Sequence, residues 1–145
     1  MVISFGKRVE NLDVAIQKGT IGSDLSTFRD YIASDSILFL HCKGSILATA
    51  HVSGPYQFSK SEIWTNKTYP HRFPVRISRF LSSPVQLCDG VLNVELKKRF
   101  GTGWAYKFLF SPKPVPADIG RKLLAVIERI PSTTAEQFHQ VLTKL

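Results

Sequence analysis

Two cysteines, one methionine and eleven acidic residues are all that this 145-residue chain carries of each, and those scarcities exclude several kinds of chemistry. Cys42 and Cys88 form no CxxC unit and are too few for a disulfide framework, so a reducing, cytoplasmic setting is expected. The four histidines, His41, His51, His71 and His139, are scattered with no HExxH pair and no His/Cys spacing that would build a zinc tetrahedron. No metal site and no cofactor is therefore expected. A P-loop and a GxSxG elbow are both missing. Asp89 and Glu95 stand alone in the middle of the chain, which leaves paired-carboxylate catalysis without a site. Cys42 and His51 could face one another across a hairpin, but alternate burial makes them packed residues rather than nucleophile and base. The expectation is a binding protein, not an enzyme. No stretch approaches the roughly 20 apolar residues of a membrane span, and MVISFGKRVE lacks the apolar run of a signal peptide, so no membrane partner is expected.

Positive charge is what the chain has in excess. Its formal charge is +8, and residues 63–113 hold nine Lys or Arg against two acidic residues, or +7 of it. A basic face attracts polyanions, nucleic acid first among them, because each neutralised phosphate releases a condensed counterion. Hydrophobic residues make up 43% of the sequence, enough for one folded domain over residues 1–145.

The chain reads as strands in the middle and helices towards both ends. VISF opens as a short strand; Asn11 precedes LDVAIQKG, a short helix that Gly19 can close. Asp24 caps a second helix through Ala33. SILFLHC and SILATAHVS flank Lys43-Gly44 as a β-hairpin. RFPVRIS alternates Phe73, Val75 and Ile77 with Arg72, Pro74, Arg76 and Ser78, and Pro74 argues for an edge or a bulge. VLNVEL (91–96) and AYKFLF (105–110) read as further strands around the basic loop KKRFGTGW. After Pro116 the apolar positions Ile119, Leu123, Val126, Ile127 and Ile130 give a helix, and Thr133 with Glu136 has the spacing of a capping box before the last one. An α+β domain around a small curved sheet follows.

Trp64 and Trp104 each lie in a polar or basic loop, the first near Lys67 and Arg72, the second beside Lys97, Lys98 and Arg99. Bases are held by stacking on aromatic rings while lysine and arginine track phosphates, so this combination suits a base-binding pocket. The alternative for Trp64 is a loop anchor, and for Trp104 a cap on the core. Arg76 and Arg79 would extend the backbone-binding surface.

The order of these pieces resembles the PUA-like superfamily, in particular its EVE and YTH branches. The similarity runs from VISFGKRVENLDVAIQKGTIGSDL through the hairpin and IWTNKTYP to FPVRI, with GTGWAYKFLF and SPKPVPADIGRKLLAVIE similar to the EVE ending. It implies a PUA-like pseudo-β-barrel of five or six mixed strands with flanking helices, and a domain that reads a modified base in RNA or DNA. Trp64 matches one tryptophan of the YTH aromatic cage, whereas Ile21 stands where the other would be, so Trp104, Tyr69 or Tyr56 would have to supply a second ring. Asn11 matches a family asparagine near the bound base, or else caps its helix. Gly22 and Ser23 match the backbone segment that bonds the base edge. A general RNA-binding module of the PUA or ASCH kind and an enzyme acting on nucleotides are the two rival readings. Methylated adenine and modified cytosine both stay open at this point.

Overall fold

Lys43 and Gly44, with φ of 50° and 83°, make the two-residue turn expected between the two apolar runs, its twist matched to the strands it joins. That hairpin is the centre of the fold. A computed structural model describes residues 1–87, 91–110 and 113–145, with the side chains of all of these except 91, 92 and 110; Cys88, Asp89, Gly90, Ser111 and Pro112 fall outside. In chain order the elements are β1 (Val2–Ser4), α1 (Val9–Lys18), β2 (Thr20–Ser23), α2 (Phe28–Tyr31), β3 (Ile37–Cys42), β4 (Ser45–Val52), β5 (Gln57–Phe58) and β6 (His71–Gln86). They continue with α3 (Val91–Phe100), a π-helical turn at Tyr106–Phe110, α4 (Ala117–Glu128), β7 (Ser132–Thr133) and α5 (Ala135–Thr143).

The strands form one sheet in the order β1-β3-β4-β6-β2, with β5 and β7 paired to β6 as well. β1 runs parallel to β3 and the other pairs are antiparallel. Five strands of three or more residues and two short ones in a mixed sheet with flanking helices give the α+β half-barrel that the pattern implies. Successive residues of a strand point to opposite faces, and here both faces are covered. Ile3, Leu38, Leu40 and Ala50 meet Leu12 of α1, Phe28 of α2 and Phe138 of α5 on one side. Val2, Phe39 and Ile46 meet Leu96 of α3, Trp104 and Ile119, Leu123 and Ile127 of α4 on the other. Each fully buried Leu, Ile or Phe contributes roughly 1.5–3 kcal/mol, which explains why β3 and β4 read as unbroken apolar runs.

Several local expectations are overturned. Residues 91–96 are helical, because Glu95 and Arg99, one turn apart, reach Lys122 and Asp118 on α4 while Leu96 faces the core; Gly101, at φ 79°, ends that helix. Residues 105–110 are helical too, since Trp104 and Phe108 are buried four residues apart. Helix α1 starts at Val9 with Arg8 as its N-cap, so Asn11 lies inside the first turn and caps nothing. The second helix is a single turn that begins at Phe28, and Asp24 pairs with Lys67 instead of capping it. The capping residue of α5 is Thr134, whose Oγ1 accepts the Gln137 N–H at 3.2 Å, one position beyond the expected Thr133. Pro74 is not on an edge: Thr20 stands opposite on one side and Ser53 donates to its carbonyl on the other. The irregular register comes later in the strand, between the pairs Ala50–Ile77 and Thr49–Arg79.

Candidate functional site

The loop between β5 and β6 is held by one residue of its own neighbourhood, Arg72. Its Nε donates to the Tyr69 carbonyl at 3.0 Å, Nη1 to Ser61 Oγ at 2.7 Å, and Nη2 to the Thr68 carbonyl at 2.8 Å and to the Ser61 carbonyl. Every partner is neutral. The guanidinium is buried, desolvation pushes its pKa down, and its carbon lies 5.2 Å from the centre of the Trp64 ring. Arg72 therefore shapes the loop and backs the indole; four of its five N–H donors are spent on protein acceptors and the side chain is buried, which removes it from the expected phosphate-binding set.

Trp64 is only 5% exposed and pinned on two sides. Its Nε1 donates to the Asn11 carbonyl at 3.2 Å, and a Cβ built on Gly22 would lie 2.9 Å from its Cη2 and 2.8 Å from the Tyr69 carbonyl. Glycine at 22 is what lets the strand approach the ring. Tyr69 meets the indole edge-on, with centroids 5.5 Å apart, and adopts φ 47°, an uncommon conformation for a side chain of its size and one that costs of order 1–3 kcal/mol. Arg72 on its carbonyl and Asn66 on its hydroxyl offset that strain.

Asn11, Gly22, Trp64 and Tyr69 line a cavity of about 270 Å³, closed on the far side by β1 and the turn after it, including Phe5, Lys7 and Arg8. Asn11 is buried. Its Nδ2 donates to Asn66 Oδ1 at 2.9 Å, and Asn66 Nδ2 donates to the Tyr69 hydroxyl at 2.6 Å. This relay leaves the Asn11 side-chain oxygen as an acceptor and the Tyr69 hydroxyl hydrogen as a donor for a guest. Close to the lining residues Tyr69 and Arg8, Lys67 pairs with Asp24 at 3.1 Å, the contact that raises its pKa, and Arg8 pairs with Glu10 at 3.7 Å.

Three of the six expected base-contacting residues, Asn11, Gly22 and Trp64, thus share this cavity. Ile21 is fully buried in the core beneath α1, and Ser23 uses its Oγ to accept the Leu25 N–H at 3.1 Å. Trp104 belongs to the opposite core and donates to Asn93 Oδ1 at 3.2 Å. Tyr69, one of three rings expected as a substitute, lines the cavity; Trp104 and Tyr56 do not. The expected cations are dispersed. Lys67 is close to Tyr69, Arg76 is exposed along β6, and Arg79 donates to the Ile130 carbonyl beyond α4. Lys97, Lys98 and Arg99 sit on α3, which packs on the sheet face opposite α1, and Arg99 is tied to Asp118 at 2.7 Å, holding that carboxyl at about 2. Sequence reasoning missed Phe5, Lys7, Arg8 and Asn66; GKR directly after an opening strand was the only sign of the first three.

Beside the cavity, Ser4 Oγ lies 3.0 Å from His41 Nδ1. Burial lowers the His41 pKa to about 4 and Ser4 Oγ already accepts the Gly6 N–H, so the pair reads as a fixed hydrogen bond that positions the turn.

No protein-family model matches the chain, and no curated protein does. Solved structures similar in fold include two YTH domains. One is the YTH domain of the Zygosaccharomyces rouxii MRB1 protein in complex with N6-methyladenosine RNA, at 17% identity, 90% of this chain, 88% of that one and a TM-score of 0.53. The other is the Pho92 YTH domain in complex with m6A, at 16% identity, 90% and 87% coverage and a TM-score of 0.56. The chain has the fold of a YTH domain.

Proposed function

We propose that this protein is a non-enzymatic reader that holds one extruded, modified base of RNA or DNA in the cavity beside Trp64. The observation that carries the reading is a buried indole, an available asparagine oxygen and a tyrosine hydroxyl converging on about 270 Å³, just below the size of a drug-like pocket and suited to one base. The two similar YTH domains, both solved with m6A, support it, and so does the order of sequence pieces shared with EVE proteins. Stacking on an aromatic wall returns about 1–3 kcal/mol per base, which offsets much of the cost of extrusion. The base is an adenine methylated on its exocyclic amine or a cytosine modified at its fifth carbon. Lys7, Arg8 and Lys67, in or close to the lining, replace the dispersed arginines as the nearest phosphate partners.

Affinities for short single- and double-stranded RNA and DNA probes, each with and without these modifications, test the reading. Burying one methyl is worth roughly 0.8 kcal/mol, so at least about a fourfold preference for one modified probe is expected. Equal affinity for every modified and unmodified pair would overturn it. It would favour instead the general RNA-binding reading, to which the lack of a second tryptophan in the cavity lining gives some weight.

A further inference from the structure

Behind the indole lies a positive charge that, among the described residues, has no paired carboxylate. Arg72 does not line the cavity, its guanidinium carbon is 5.2 Å from the Trp64 ring centre, and its hydrogen bonds go to carbonyls and one hydroxyl. Arginine stays protonated in proteins. The charged groups of the lining do not cancel it: they are Lys7 and Arg8, the second paired with Glu10, and both are cations. A cation on one face of an indole also draws on the same electron density that would attract a second cation on the other face.

Resting on the reading above, we infer that the cavity selects its base by charge: it takes a neutral base and rejects the isomer that is protonated, and so cationic, at neutral pH, with Arg72 setting that choice through Trp64. A base stacked roughly 3.5 Å beyond the ring puts a ligand charge about 9 Å from the guanidinium. At an effective dielectric of about 20 that separation gives roughly a twentyfold penalty, which salt reduces to about tenfold. Arg72 is a positioning residue for the loop and a specificity residue for the guest, because the same buried charge does both.

The test uses probes whose bases are isomers in their neutral forms and differ by one proton where the second is cationic. Single-stranded oligomers carry at one position N6-methyladenine or 1-methyladenine, or 5-methylcytosine or 3-methylcytosine; the second of each pair is cationic at neutral pH. An abasic oligomer completes the set. Affinities are measured at neutral pH and again above the pKa of the cationic base, where it becomes neutral. The neutral isomer should bind about tenfold tighter at neutral pH, and the ratio should fall below about threefold once the cation is deprotonated. Ionisation of protein groups moves both isomers together, so the ratio isolates the ligand's charge. Equal or tighter binding of the cation at neutral pH overturns the inference. So does a gap that persists unchanged after deprotonation, since a blocked base edge and not charge would then be responsible. If the abasic oligomer binds as tightly as all the others, no base enters the cavity and the reader reading itself fails.

Discussion

Replacing Gly22 by alanine adds one methyl group at the point where β2 meets the indole. That Cβ would lie 2.8 Å from the Tyr69 carbonyl oxygen and 2.9 and 3.0 Å from two carbons of the Trp64 ring. None of these atoms is the end of a flexible side chain: one is backbone held by Arg72, and the ring is tied through Nε1 to Asn11. Relief therefore requires β2 to move out or the indole to tilt. Overpacking of this kind costs about 1–3 kcal/mol. For a domain of this size that is a fall in Tm of about 3–10 °C, measured by thermal unfolding. A ring displaced by even half an ångström leaves the productive stacking geometry, so affinity for the preferred probe should drop at least about tenfold. Unchanged Tm and unchanged affinity in Gly22→Ala would mean that the indole is not wedged between strand and loop, and the account of the site would be wrong.

The double variant Lys7→Ala, Arg8→Ala should reduce the slope of log affinity against log salt by about 1.4 for a single-stranded probe, if each side chain meets one phosphate. Lys97→Ala with Lys98→Ala, on the opposite sheet face, should leave that slope unchanged. His41 is held neutral by burial, with its pKa lowered from 6.5 to about 4, so the unfolded chain binds its proton first as pH falls. Stability should then decline from pH 6.5 to pH 4 by an amount of order 3 kcal/mol from this residue alone. Urea unfolding at pH 7 and pH 4.5 of the wild type and of His41→Gln checks this, and equal losses in both proteins would contradict it.

The hairpin, the amphipathic helices near the end of the chain and the aromatic loop are legible in the sequence because each depends on neighbours within a few residues. Lys43-Gly44 demands its turn, and the 3.6-residue spacing of Ile119, Leu123 and Ile127 demands a buried helix face. Segments whose conformation is decided by distant partners are not legible in this way. VLNVEL alternates like a strand, yet its Glu95 and, one turn on, Arg99 are spaced to meet Lys122 and Asp118 of α4. Trp104, in a basic loop, resembled a binding residue, but Phe108 one turn later marks it as core. Arg72 is the clearest case of the same limit. A lone arginine on an alternating strand reads as solvent-facing, and only the fold of the preceding loop supplies the carbonyls that bury it. Trp64 stands out by its polar loop, whereas Asn11 and Gly22 are placed only by similarity to known domains, and no spacing rule joins residues 53 positions apart.

Trp64 itself offers the most direct measurement. In a Trp104→Phe background it is the sole tryptophan, so its fluorescence reports on the cavity wall alone. Titration with an oligomer carrying the preferred modified base should quench that emission saturably, in step with binding followed by anisotropy, while an abasic oligomer should leave it unchanged. Full binding of the modified oligomer with no change in Trp64 emission would show that the base does not stack there.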